Sequence, residues 1–435
     1  MRTVDLRGVE LDSASVNRLL PRASVSVSSL SEVVAPIIER VRKEGETALV
    51  DFAERFDSVD PRPIRVPQEE LDVALESLDG ELRAAIELAI ERVRKVSSAN
   101  LPLDTVTTLS EGAVVEQRWL PVEAVGLYVP GGKAVYPSSV VMNVVPAQVA
   151  GVKRLAMVTP PQRNFAGRPH PTVLATAALL GVTEVYAIGG PAAIAALAHG
   201  VPTLGLEAVS LITGPGNNYV TAAKRALRSL VGIDSEAGAT EIMVIADSSA
   251  DPRIIAADLI SQAEHDESAA SVLVTDSAEL LQSVASAVAE LAPVAHHAER
   301  VMSALSGQQS ALVLVESMDS AILVANHYAT EHLEIQTARD REVLAKISNA
   351  GAIFLGANSP VSLGDYMAGS NHVLPTSQQA KSSSGLGVHT FLRAQQVISY
   401  SGEALGEIAA SIDTLAKAEG LPAHGAAVLA RNHKM

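Results

Sequence analysis

Between residues 154 and 356 the chain alternates short apolar runs with helix-forming segments of about ten residues, and this alternation limits the fold more than any other feature. Residues 154–158, 184–188 and 209–213 read as strands, and 172–180, 192–198 and 219–230 as the helices between them. The second half continues in the same style, with strands at 241–246, 270–275, 311–316 and 352–356 and a helix that carries Gln262 and His265. Strands this uniformly apolar are buried on both faces, which requires a parallel sheet with helices on each side. The expectation is an α/β protein with two tandem Rossmann-like parallel-sheet domains, residues 111–236 and 237–378. No residue-level repeat relates the two halves.

The flanking regions read differently. Residues 32–56 and 68–97 are amphipathic and rich in Glu, Arg, Ala and Leu, punctuated by Gly45, Pro61-Arg62-Pro63 and Gly80, so residues 1–110 are expected to be a helical N-terminal region. Residues 114–129 shift to a period of two around Trp119 and lead into Pro130-Gly131-Gly132. After Pro375 the chain turns small and polar through residue 385, and a helix is expected at 402–418. The tail, 379–435, is too short to hold a core of its own and is expected to pack on the rest of the protein or on a second subunit.

Composition narrows the partners. Thirty-three basic against forty-nine acidic side chains leave a net charge of −16, which disfavours nucleic acid and anionic membranes. The N-terminal Met1-Arg2-Thr3-Val4-Asp5 is charged where a signal peptide is apolar, and no uncharged apolar run reaches the roughly 18 residues of a membrane span. Absence of cysteine excludes disulfides and thiolate zinc sites and fits a cytoplasmic location.

Gln262 and His265 lie three apart near the expected end of a helix capped by Asp251 and Pro252, a spacing that lets both reach one ion. Further oxygen and imidazole ligands occur in Glu331-His332, in Asp365 through His372, and in Glu419 through His424. Such a thiolate-free set suits a borderline divalent ion such as zinc. Gly214-Pro215-Gly216-Asn217-Asn218-Tyr219 stands where a dinucleotide fingerprint belongs, but Tyr219 replaces the third glycine. Gly189-Gly190-Pro191 and Pro130-Gly131-Gly132 end two other strands, and ligands of such folds collect beyond the carboxyl ends of strands.

With these strings in hand, the chain resembles the histidinol dehydrogenase family. The likeness runs from about residue 30 to the end, through Gly126-Leu127-Tyr128-Val129-Pro130-Gly131-Gly132, Gly214-Pro215-Gly216-Asn217, Val231-Gly232-Ile233-Asp234, Ser261 to Asp266, Tyr328 to Ile335, Gly364 to Thr376 and Leu421-Pro422-Ala423-His424. The resemblance implies a zinc- and NAD-dependent oxidation of L-histidinol to L-histidine through L-histidinal, the last step of histidine biosynthesis. It implies one zinc per subunit on Gln262, His265, Asp365 and His424, the last donated across a domain-swapped homodimer with shared active sites. Glu331 and His332 are implied as the acid-base pair, Thr240, His372 and Glu419 as substrate contacts beside the ligands and His332, and Tyr128 and Asn217 as NAD contacts.

Two positions depart from the family pattern. Ala192 stands where a glutamine usually contacts NAD, and Ala237-Gly238-Ala239-Thr240-Glu241 lacks the usual proline. Three alternatives stay open: a related zinc- and NAD-dependent dehydrogenase of another primary alcohol such as sulfopropanediol, a zinc hydrolase, and a non-enzymatic binding protein. The hydrolase reading has no His-Glu-x-x-His helix behind it and leaves the Gly-rich strand ends unexplained.

Overall fold

The structure, a computed structural model, describes residues 1–22, 27–131, 134–236 and 238–431. Gly132 and Ala237, which belong to two of the strings quoted above, lie outside the described residues.

Two parallel sheets organise the molecule. The first has five strands in the order Glu184–Ala187, Arg154–Thr159, Ala124–Tyr128, Leu211–Thr213, Gly232–Ile233. The chain enters at the centre, moves outward, then returns to the other side of Ala124–Tyr128, so the order reverses between that strand and Leu211–Thr213. The second sheet repeats the plan with six strands, Arg2–Asp5, Ala311–Leu314, Ala270–Thr275, Glu241–Ala246, His332–Gln336, Ala352–Leu355, reversing between Glu241–Ala246 and its neighbour His332–Gln336. The helices cover both faces, and apolar clusters fill the space on each side of each sheet. This is the α/β architecture with parallel sheets that the apolar alternation implied.

Five strands fall where the sequence pattern indicated none, and two of them, Gly232–Ile233 and His332–Gln336, belong to the parallel sheets as given above. Arg2–Asp5, within the region expected to be helical, joins the second sheet parallel to Ala311–Leu314, with Thr3 opposite Leu312. Thr105–Ser110 is exposed along its length and owes its conformation to Thr and Val content and to pairing with Ala113–Pro121. Leu392–Tyr400, in the tail expected to be helical, pairs antiparallel with Ala113–Pro121 from Leu392 opposite Pro121 to Tyr400 opposite Ala113. Arg2–Asp5 and Leu392–Tyr400 are stabilised by partners distant in sequence, which local periodicity does not report, whereas Thr105–Ser110 forms a hairpin with the strand that follows it. Helices Gly402–Ala418 and Pro422–Leu429 then pack against each other as a hairpin.

Candidate active site and metal centre

The chemistry-bearing residues of the second sheet gather at the amino ends of its central strands. Thr240 immediately precedes Glu241–Ala246, and Glu331 immediately precedes His332–Gln336. Because these strands are parallel neighbours with His332 opposite Ile242, Glu331 comes level with Glu241, and its side chain reaches Thr240 one residue earlier. The Thr240 hydroxyl donates to Glu331 Oε2 at 2.6 Å, and the Glu241 backbone N–H donates to the same oxygen at 2.9 Å. His332 Nδ1 lies 3.0 Å from the Glu241 carbonyl oxygen. A carbonyl only accepts, so Nδ1 carries the proton and Nε2 is left with its lone pair free. Glu331 and His332 are themselves 3.5 Å apart and both are buried.

Burial sets the charge states. Glu331 is pushed up to about 8 because its carboxylate is desolvated, despite the two hydrogen bonds that favour ionisation. His332 is held below the ordinary imidazole value for the same reason, so its ring is neutral near pH 7. Glu241, whose carboxylate meets Arg22 Nε at 2.6 Å, is nevertheless raised by burial to about 7.

Helix Pro252–Ala263 starts as anticipated, with Asp251 accepting from the Arg253 N–H and Pro252 in the first turn. It stops one residue beyond Gln262. His265 is therefore not on a helix face; its backbone N–H folds back to the Gln262 carbonyl at 3.3 Å, and this terminal turn rather than helical periodicity brings the two side chains to one side. The Gln262 amide nitrogen donates to Thr240 Oγ1 at 2.5 Å, which leaves Oε1 facing away, buried and without a partner. A buried carbonyl-type oxygen with no donor costs about 1–3 kcal/mol unless something electropositive meets it.

Asp365 sits on the short helix Val361–Tyr366, and its charge acts on His265, His332 and His372 together, which puts all four in one neighbourhood. The His265 ring opens to solvent on one side, yet the protein crowded around it depresses its basicity, so it offers a neutral nitrogen. His372 is satisfied within the protein, with Nδ1 donating to the Asp365 carbonyl at 3.1 Å and Nε2 within 3.2 Å of Ser139 Oγ. Glu419 and His424 are exposed on the C-terminal hairpin. Among the described residues no group of three or more His, Asp or Glu side chains closes a metal site inside one chain. The oxygen of Gln262, the neutral His265 and Asp365 fit a zinc ion with coordination positions left over.

At the carboxyl edge of the first sheet lies a cavity of about 690 Å³, lined by Tyr128, Gly131, Gly189, Gly190, Ala192 and Asn217 among others. It opens beside the strand-order reversal, where such folds bind nucleotides. Tyr128 is buried, accepts from the Gly190 N–H at 3.3 Å and is pushed by burial up to about 12. Asn217 Oδ1 caps helix Asn218–Leu227 by accepting from Tyr219 and Val220 N–H. Gly214 adopts φ +113, and a Cβ there would collide with the Tyr128 carbonyl, so this turn tolerates no side chain. A buried pair, Lys224 Nζ to Asp234 Oδ1 at 2.6 Å, pins the same turn through the Gly214 carbonyl and N–H.

A sequence model of histidinol dehydrogenase matches residues 20–432. The chain belongs to the histidinol dehydrogenase family. It is 58% identical over 431 residues to histidinol dehydrogenase of Leifsonia xyli subsp. xyli, covering 99% of each chain. It is 55% identical over 434 residues to that of Mycolicibacterium smegmatis, covering 99% of this chain and 98% of that one. Among solved structures, histidinol dehydrogenase from Elizabethkingia anophelis superposes with a TM-score of 0.93 at 33% identity, over 99% of this chain and 98% of that one. An NAD-dependent aldehyde dehydrogenase from Sinorhizobium meliloti shares the fold alone, at 13% identity and a TM-score of 0.51 over 89% and 87%.

Within this family site, sequence reasoning missed Glu241, whose carbonyl fixes the His332 tautomer, and the residues that support it. Arg22 comes from the N-terminal segment, its guanidinium 3.7 Å from the centre of the Tyr328 ring while it pairs with Glu241. Lys224 and Ser139 were equally unmarked, and Asp234 stood in a quoted string without a role. A charged side chain inside an apolar strand or helix was the available signal, as at Glu241 ahead of Ile242-Met243-Val244-Ile245.

Proposed function

We propose that this chain, an oxidoreductase by family, converts L-histidinol to L-histidine through L-histidinal with zinc and two NAD, in a cytoplasmic homodimer. The observation that carries the reading is the unpartnered buried oxygen of Gln262, joined through Thr240 to the Glu331–His332 pair. Gln262, His265 and Asp365 would hold zinc together with His424 of the partner subunit. Bound zinc would supply a template that orients the substrate, and NAD the hydride acceptor.

The protein's own groups carry the protons. Neutral His332, with Nδ1 committed to the Glu241 carbonyl, takes the alcohol proton on Nε2 as hydride leaves the carbon. Its Nδ1 bond fixes the ring plane and stabilises the imidazolium that results. Glu331, in its ionised form, then removes a proton from the water that adds to the aldehyde, and the second hydride leaves from the hydrate. A carboxyl poised near 8 sits close to a working pH, where a group that must alternate between acid and base is most effective. The Thr240 hydroxyl aims Glu331 and holds the Gln262 amide with its oxygen inward; Thr240, His372 and the partner subunit's Glu419 would line the substrate position. Tyr128 and Asn217 would contact NAD at the first sheet's carboxyl edge.

The C-terminal hairpin supports a shared site, since Leu415, Leu421 and Leu429 remain exposed on it. Apolar side chains left open on a helical pair call for cover by a second subunit. The test of the reaction is NADH formed per L-histidinol consumed by zinc-loaded protein with excess NAD. Two equivalents are expected; one would refute the four-electron oxidation, and none would refute the substrate.

A further inference from the structure

The strand that begins with His332 carries two more polar side chains that the oxidation does not use. His332, Glu334 and Gln336 alternate with apolar Leu333 and Ile335, so all three project from one face of the strand. Glu334 is 1% exposed. A carboxyl so deep in a sheet is costly, and its partners show what it holds.

Its Oε1 accepts from the backbone N–H of Val361 at 3.1 Å, the first residue of the short helix that carries Asp365 one turn later. Its Oε2 accepts from Gln336 Nε2 at 2.9 Å, and the second proton of that amide goes to Asp258 Oδ2 at 3.1 Å. Asp258 lies four residues before Gln262 on the same helix, so both occupy one face. The two carboxyls are also hydrogen-bonded to each other. Burial and the neighbouring Asp258 push Glu334 up to about 8, so it keeps a proton to share with Asp258. One carboxyl thus ties together the strand of His332, the helix of Gln262 and the helix of Asp365.

We propose that Glu334, with Gln336 and Asp258, is a positioning group that keeps the zinc ligands on two separate helices in register, and so governs how tightly the protein retains the metal. The inference rests on the assignment of Gln262, His265 and Asp365 as ligands. Glu334 touches neither substrate nor metal in this arrangement; it acts through the elements that carry them. Outer partners of metal ligands characteristically govern affinity in this way.

The test is zinc retention by the full-length protein, read as competition with a chromophoric chelator. Glu334→Ala is expected to weaken zinc binding by about tenfold, while Glu334→Gln, which keeps the acceptor for the Val361 N–H but sets an amide nitrogen against Gln336 Nε2, is expected to fall between wild type and Glu334→Ala. A Glu334→Ala protein that retains wild-type circular dichroism and wild-type zinc affinity would overturn the proposal. Should Glu334→Ala fail to fold, Asp258→Ala, at a half-buried helix position, decides by the same measurement: weaker zinc supports the network and unchanged zinc overturns it. His265→Ala separates the two assignments. If that variant binds zinc as wild type does, the ligand set has failed; if it loses zinc while Glu334→Ala and Asp258→Ala do not, the positioning role alone has failed.

Discussion

Replacing Thr240 by valine removes one hydroxyl at the junction of the site while keeping the side chain's shape. That hydroxyl donates to Glu331 Oε2 at 2.6 Å and accepts from Gln262 Nε2 at 2.5 Å. A hydrogen bond to a charged group contributes about 1.5–3 kcal/mol, and a pKa unit corresponds to about 1.4 kcal/mol, so Glu331 loses about one to two units' worth of support for its ionised form. The direction follows from the same bond, which pulls the Glu331 pKa downward against burial. In Thr240→Val, the pH dependence of kcat for NADH formation should therefore move to higher pH by about one unit or more. The Glu241 N–H donor remains at 2.9 Å and limits the shift. Gln262 Nε2 is left buried without an acceptor, which should also lower the denaturant midpoint by an amount equivalent to about 1–3 kcal/mol. Thr240→Ser retains the hydroxyl and should follow wild type in both measurements. A Thr240→Val profile that superimposes on that of wild type would refute the assignment of Thr240 as the group that sets Glu331.

Ala192 is buried and lines the cavity beside the first sheet, so Ala192→Gln should lower the KM for NAD by about fivefold, the equivalent of one added hydrogen bond; an unchanged KM would place the cofactor elsewhere. Co-expression of His265→Ala with His424→Ala should restore activity that neither variant has alone, because a hybrid dimer assembles one site with all four ligands; no recovery would refute the shared site. In the metal-free protein Glu331 and Glu334 have folded-state pKa values raised to about 8. Their contribution to stability is fully present below the unfolded value of about 4.5 and is lost as pH rises through the folded value. The Tm of metal-free protein should thus fall from about pH 6 to about pH 9, and Glu331→Gln should flatten that fall; a Tm that rises over this range would refute the sign.

The placement of the site shows how far local pattern reaches. Gly-rich strand ends correctly marked the carboxyl edge of the first sheet, where Gly189, Gly190 and Asn217 line one cavity with Tyr128. The same rule does not place the second site, which uses the amino ends of Glu241–Ala246 and His332–Gln336. Helices run back against parallel strands, so the C-terminal end of Pro252–Ala263 delivers Gln262 and His265 to that edge. Three-residue spacing suggested a shared helix face for this pair; the helix ends first, and a turn does the work instead.

From the residues themselves come the parallel-sheet architecture, the helix cap at Asp251, and, by resemblance, the family and its site strings. These are encoded by contiguous residues, since periodicity, capping and motif all act within a few positions of one another. The tertiary structure alone decided that Arg2–Asp5 belongs to the second sheet and that Leu392–Tyr400 pairs with Ala113–Pro121. It alone set the tautomer of His332 through the Glu241 carbonyl, the orientation of Gln262 through Thr240, and the bridge from Glu334 to Val361. Each of these joins groups separated by at least 22 positions, and a hydrogen bond of that kind exists only once two strands or a strand and a helix have packed. Its direction is fixed by which atom can donate, and no periodicity in the chain records which atoms will meet.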